Sequence, residues 1–220
     1  MKLPSIVPKT LQVSSKVKKR MITEFAEHVG MVYFGYVSQR NDEHHIVRGF
    51  TVSTKHVDDH YCIGTYETYD IIFVERTDSL HSGKKHTWHI LEFDLKSQVD
   101  LPHFFVGSSK PTQHFHELLR TKYHSMHPIT VGATDPYPAN FLSQLSVYSS
   151  PAHAIEFERL VPAETAQAIS QHFNGLAFEI TEQSLYIYSD KTHLTDELLQ
   201  SMLTNGLWLA QTIDINSQLL

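Results

Sequence analysis

Tyr69-Asp-Ile-Ile-Phe-Val-Glu-Arg76, followed across a polar loop by His86-Thr-Trp-His-Ile-Leu-Glu-Phe-Asp-Leu95, decides the fold of this chain. Both runs are rich in β-branched and aromatic residues, and the loop between them holds Gly83, so they read as a β-hairpin. Strand alternation puts Ile72 and Val74 on one face and Ile71 and Phe73 on the other. In the returning strand Trp88 and Ile90 oppose Leu91 and Phe93. Both faces are apolar at mid-strand, which predicts a hairpin at the centre of a sheet covered above and below. A third extended run, Leu101-Pro-His-Phe-Phe-Val106, follows it.

Working outward, residues 1–13 read as an extended arm. Ser14 or Ser15 is expected to cap a helix in which Val17, Met21, Phe25 and Val29 form one stripe and Gly30 closes the element. Met31 to Val37 reads as a strand with His45 to Thr54 as its hairpin partner. His56 to His60 reads as a turn, and Tyr61 to Tyr66 as a further strand with a bulge at Gly64. Beyond the hairpin, Thr112 is a candidate cap for a short helix with Phe115, Leu118 and Leu119, and residues 128–131 resemble a strand. The proline-bearing stretch Gly132 to Asn140 is the best internal boundary, giving an N-terminal part over 1–133 and a second part over 134–220 packed with it as one globule. In the second part Phe141 to Tyr148 alternates as a strand and Ala152 to Leu160 is ambiguous. Pro162 opens a helix that Asn174-Gly175 stops, Leu176–Ile180 pairs with Leu185–Tyr188, and Thr195 caps a closing helix. The fold class expected is therefore α+β: an antiparallel sheet meander with an N-terminal helix and a C-terminal βαββα unit.

At 220 residues, 41% hydrophobic and 19% charged, the chain is long enough to bury a core without a metal or disulfide. Cys62 is its single cysteine, and no apolar run reaches the roughly 18–20 residues of a membrane helix. The start lacks a signal-peptide core, so a cytoplasmic location is expected. Net charge is −6, but Lys2, Lys9, Lys16, Lys18, Lys19 and Arg20 stand in the first twenty residues with no acid among them. In a helix starting near residue 15, three of those cations crowd the positive end of the dipole. Such placement points to an anionic partner, a nucleic acid or a membrane surface, bound by Lys16, Lys18, Lys19 and Arg20, or to the acidic remainder of the same chain.

No phosphate loop, dinucleotide fingerprint, zinc-protease helix or nucleophile elbow is present. Sixteen histidines are the other peculiarity. His86, His89, His114 and His116 are the candidate ligands if a metal is bound, yet His86 and His89 are three apart, on opposite faces of a strand. His114 and His116 share a face only if extended. No cofactor is expected. Cys62 reads as a small core residue, Asp70, Glu75, Glu92 and Asp94 as solvent-facing charges on the central strands, and Tyr33, Phe34 and Tyr36 as core aromatics.

In the second part, Phe141 to Tyr148, Ala152 to Leu160, Pro162, and Leu176-Ala-Phe-Glu-Ile180 with Leu185-Tyr-Ile-Tyr188 resemble a group of uncharacterised bacterial proteins, many membrane-anchored. The Tyr69-Asp70 strand and Leu101-Pro102 resemble that group's first half, extending the likeness over residues 60–213. The resemblance implies a bacterial α+β protein and carries over no catalytic residue. The function expected is a non-enzymatic intracellular binding or scaffold protein. The alternatives are a histidine-dependent metal-binding protein or hydrolase and, more weakly, nucleic-acid binding through the basic arm.

Overall fold

The computed structural model describes residues 9–36, 56–79, 83, 85–111, 123–218 and 220, with side chains from residue 15 onward in the first helix. Helix α1 (Lys9–Val29) leads into strands β1 (Met31–Gly35), β2 (His56–Tyr66), β3 (Tyr69–Ser79), β4 (Lys85–Asp94), β5 (Leu101–Ser108) and β6 (His127–Ile129). Helix α2 (Ala139–Gln144), strand β7 (Leu145–Ser149) and helices α3 (Ala154–Leu160) and α4 (Ala163–His172) follow. Strands β8 (Ala177–Glu182) and β9 (Ser184–Ser189) and helix α5 (Asp196–Ser217) complete the fold. The strands form one antiparallel sheet in the order β1-β2-β3-β4-β9-β8-β5-β7-β6.

The hairpin β3–β4 forms in the register its alternation implies, with Phe73 opposite Leu91 and Val74 opposite Ile90. Its Phe73, Leu91 and Phe93 face a core completed by Phe25 of α1, Phe157 of α3, Ile169 of α4 and Met202 and Leu209 of α5. Its Val74, Trp88 and Ile90 face the other way, with Phe105, Tyr148, Tyr186 and Tyr188 of neighbouring strands. All of these are buried, so the sheet is apolar on both sides over its middle strands. The fold is α+β, with an N-terminal helix, a nine-stranded antiparallel sheet and C-terminal helices.

Several local expectations are corrected. The first helix starts at Lys9 rather than at Ser14 or Ser15, so Lys16, Lys18 and Lys19 lie at mid-helix and the dipole penalty argued for them disappears. His56 to His60 is strand, not turn. The bulge in β2 falls between Asp59 and Cys62, where His60 adopts φ 56°, and Gly64 serves instead for close approach, since a Cβ there would lie 2.8 Å from Met31 Cα. Phe141 to Gln144 is helical, and the strand begins only at Leu145. The meander runs in sequence order only through β1–β4, because the hairpin β8–β9 inserts between β4 and β5. The expected strand His45–Thr54 and the helix after Thr112 lie outside the described residues.

The ends of the later helices follow local chemistry. Thr195 Oγ1 accepts the Leu198 amide at 3.2 Å, and Asp196 and Glu197 occupy the first turn of α5. Gly175 turns the chain out of α4 at φ 75°. The Gly132–Asn140 stretch is pinned to α3: the Glu158 carboxylate accepts the amides of Gly132, Ala133 and Thr134 at 2.7, 2.9 and 2.9 Å.

Candidate functional site: a polar layer and a cleft at the end of the sheet

Charged side chains sit inside both apolar faces of the sheet, on the alternation of β3 and β4. Glu75 continues the face of Phe73 and is 9% exposed. Both its oxygens receive Lys18 Nζ of α1, at 3.0 and 2.8 Å, and His89 Nε2 stands 3.1 Å from Oε2. Burial alone would raise this carboxyl, but hydrogen bonds from His89 and Lys18 outweigh it and hold the pKa at about 2. The result is a clasp that ties the basic helix to the sheet.

On the opposite face, Arg76 is 1% exposed and makes a two-pronged pair with Asp58, Nε to Oδ1 at 2.7 Å and Nη2 to Oδ2 at 2.8 Å. Glu92, two residues from Ile90 on this face, takes a hydrogen bond from Ser184 at 3.1 Å through Oε1, while its buried Oε2 has no hydrogen-bond partner. Burial pushes its pKa up to about 7, against the lowering influence of Ser184, Tyr186 and Arg76. Tyr61, whose buried hydroxyl is also without a hydrogen-bond partner, is raised to about 12 by burial and by the neighbouring Glu92 and Asp58. Further along the sheet Glu179, 1% exposed, accepts Tyr188 Oη at 2.5 Å and lies 2.6 Å from His103 Nε2. Ionic groups enclosed this way need each other, because an unpaired buried charge is expensive.

Tyr188 also reaches the end of the sheet, where a cleft of about 680 Å³ opens. Strand β5 ends there at Gly107-Ser108, beside the start of β8 and the ends of α2 and α4. Gly107 is required: the Phe105 ring folds over it, so a Cβ would sit 2.6 Å from Phe105 Cε1. Phe105 packs against Tyr188 with the rings tilted by 46° at 6.2 Å, and Tyr188 meets Trp88 edge-on at 6.0 Å, making one aromatic wall. Ile169, Phe173 and Leu176 bring the helix-side core to the other wall. The rim is polar, with serines and carboxamides, and among the described residues Lys110 and Asp190 are its charged members. This is the form of a binding site: a concave apolar floor with a few polar groups that orient a ligand.

The residues singled out in the sequence are dispersed. Lys16, Lys19 and Arg20 are exposed on α1, with Arg20 paired to Glu24 at 2.8 Å and Lys19 Nζ 5.7 Å from the Tyr33 ring centroid, whereas Lys18 is committed to Glu75. His89 lies beside Glu75, and His86 packs edge-on against Trp88 on the other face, so β4 does not bring them together. His114 and His116 lie outside the described residues. No group of three or more metal-ligating side chains converges among the described residues. Cys62 is buried, and burial pushes its thiol up to about 12, which suits a core residue. Asp70 and Asp94 face solvent as expected, but Glu75 does not, and Glu92 is largely enclosed. Phe34 and Tyr36 are not core residues: they are 56% and 62% exposed, and among the described residues α1 covers β1 on the face of Met31 and Tyr33. Sequence reading missed Asp58, Arg76, Glu179 and the cleft. The signal available for Arg76 was its place in the Ile72-Val74-Arg76 alternation, where a cation continues an apolar face.

No helix of the described residues is long and apolar enough to cross a membrane. No family model matches the chain, and no curated protein matches it, so no characterised family is identified, in keeping with the resemblance to an uncharacterised group. Among solved structures, the chain is similar to the crystal structure of the mycobacterial trehalose monomycolate transport factor A, TtfA, with a TM-score of 0.57 and 9% identity over 90% of this chain and 93% of that one. At that identity the likeness is one of fold.

Proposed function

We propose that the protein is a non-enzymatic binding protein whose ligand occupies the cleft at the end of the sheet. The observation that carries this reading is the cleft itself: about 680 Å³, with an aromatic wall braced from behind by Glu179 and a polar rim. That volume lies within the range of sites that enclose a small organic ligand. The fold shared with a protein titled a trehalose monomycolate transport factor is in keeping with a binding or carrier role. The enclosed polar groups fit the same reading, since Arg76 and Asp58, and likewise Tyr188 and Glu179, hydrogen-bond to each other. The test is binding of a neutral fluorescent probe, N-phenyl-1-naphthylamine, to the wild type and to Ser170→Trp, which fills the cleft from its rim. Saturable fluorescence enhancement lost in the variant is expected; enhancement that the variant leaves unchanged would place the probe elsewhere and sink the proposal.

A second reading is carried by α1, whose Lys16, Lys19 and Arg20 project outward while the Lys18–Glu75 clasp fixes the helix on the sheet. An anionic lipid surface suits them better than single-stranded nucleic acid, because Phe34 lies against Tyr61, whose ring packs in the sheet face away from α1, so it does not interleave with these cations. Changing Lys16, Lys19 and Arg20 together to Glu is expected to abolish salt-sensitive binding to phosphatidylglycerol vesicles with the melting temperature unchanged. A wild type that ignores such vesicles at low salt refutes it.

A further inference from the structure

The cleft's lining also specifies the chemistry of its occupant, an inference that rests on the binding reading above. Charge comes first. Of the twenty described residues that line the cleft, Lys110 and Asp190 alone are charged, and they are opposite in sign, so this described lining is net neutral. A site for a phosphate or carboxylate concentrates cations or helix N-terminal amides on its ligand. Here α4 and α2 offer the opposite: Ser143, Gln144, Ser170 and Gln171 belong to the last turns of these helices and Phe173 caps α4, the end at which the helix dipole is negative.

Hydrogen-bonding capacity comes second. The rim hydroxyls are largely used internally, with Ser109 Oγ on Ser143 O at 2.9 Å, Ser143 Oγ on Asn140 O at 3.1 Å and Ser170 Oγ on Gln167 O at 2.8 Å. The carboxamides are different. Gln144 ends α2, while Gln171 and Asn174 lie in and just beyond the last turn of α4; all three are exposed and make no side-chain hydrogen bond among the described residues. Each offers a paired donor and acceptor, the combination that matches a hydroxyl, which must both give and receive. Beneath them Phe105, Leu145, Ile169, Phe173 and Leu176 present side chains without a hydrogen-bonding group, a surface suited to hydrocarbon.

We infer that the ligand is an uncharged amphiphile, with a hydroxyl-bearing head group held by Gln144, Gln171 and Asn174 and an apolar portion lying against the aromatic and aliphatic walls. The experiment compares four eight-carbon compounds below their micellar concentrations: octyl β-glucoside, octyl phosphate, octyltrimethylammonium and octanol. Each is titrated into wild type, into Ser170→Trp, and into the triple variant Gln144→Ala/Gln171→Ala/Asn174→Ala, whose three sites are exposed. Octyl β-glucoside is expected to bind at least about tenfold more tightly than either ionic compound, and to lose about tenfold or more in the triple variant while octanol and N-phenyl-1-naphthylamine bind as before. Tighter binding of octyl phosphate or octyltrimethylammonium, abolished by Ser170→Trp, overturns the head-group class and leaves the binding reading intact. Wild-type affinity of the triple variant for the glucoside overturns the carboxamide assignment. If no compound, probe included, is sensitive to Ser170→Trp, the binding reading falls and this inference falls with it.

Discussion

Replacing Glu92 by Gln is expected to stabilise the protein in mildly alkaline solution and to do nothing at pH 4. The carboxyl titrates at about 7 in the folded state against an unperturbed 4.5, because burial disfavours its charge and Oε2 has no hydrogen-bond partner to offset that cost. A folded-state pKa above the unfolded value means that the native protein holds a proton the unfolded chain has given up between these two pH values. Stability from this group is therefore intact below pH 4.5 and lost as pH rises through 7. A shift of 2.5 units at about 1.36 kcal/mol each sets an upper limit of about 3.4 kcal/mol, and partial exposure reduces the expected loss to about 2–3 kcal/mol by pH 8.5. Gln keeps the shape and the bond from Ser184 without the charge. Urea unfolding of both proteins at pH 4, 6, 7 and 8.5 reads the effect as a difference in midpoint that opens above about pH 4.5 and levels off above about pH 7. If the two midpoints run parallel across the range, Glu92 is ionised at no cost in the folded state and the picture of an enclosed, half-satisfied carboxyl is wrong.

Glu75 has the opposite sign: its pKa of about 2 lies below the unfolded 4.5, so its clasp on Lys18 and His89 contributes about 2–3 kcal/mol above pH 4.5, lost as pH falls towards 2. Glu75→Gln is expected to flatten that acid limb in urea melts, and an unchanged limb counts against the clasp. Gly206 of α5 lies so close to the sheet that a Cβ would fall 2.3 Å from Phe93 Cε2 and 2.9 Å from Ile187 Cγ1. Gly206→Ala, which would favour an isolated helix by about 1 kcal/mol, is expected to destabilise by about 1–3 kcal/mol instead, and a rise in melting temperature would refute that packing. Phe93→Ala, which empties the same contact from a fully buried position, is expected to cost about 3–5 kcal/mol in denaturant unfolding; a wild-type midpoint would remove the hairpin from the core.

Local and periodic features were legible from the chain alone. The hairpin over Tyr69–Leu95 was readable because alternation with a period of two assigns every side chain to a face, and the apolar content of both faces implied cover on both. Thr195 and Gly175 were readable because caps and turns depend on a few adjacent residues. Phe141 to Gln144 was not, since a six-residue helix is set by packing rather than by propensity, as Phe141 buried against Tyr137 illustrates. Nor was the insertion of β8–β9 between β4 and β5, because nothing in either hairpin names its neighbour across ninety residues; the pairing of Glu92 with Tyr186 exists only once that edge is chosen. The same choice decides the candidate site. Gln144, Gln171, Asn174, Trp88 and Tyr188 carry no common spacing, and they surround one cleft because tertiary packing ends four elements at one end of the sheet. Sequence determined which face of the hairpin each side chain takes; only the long-range strand order determined which side chains are enclosed together, since that order is settled by the sum of many weak contacts and not by any one stretch of chain.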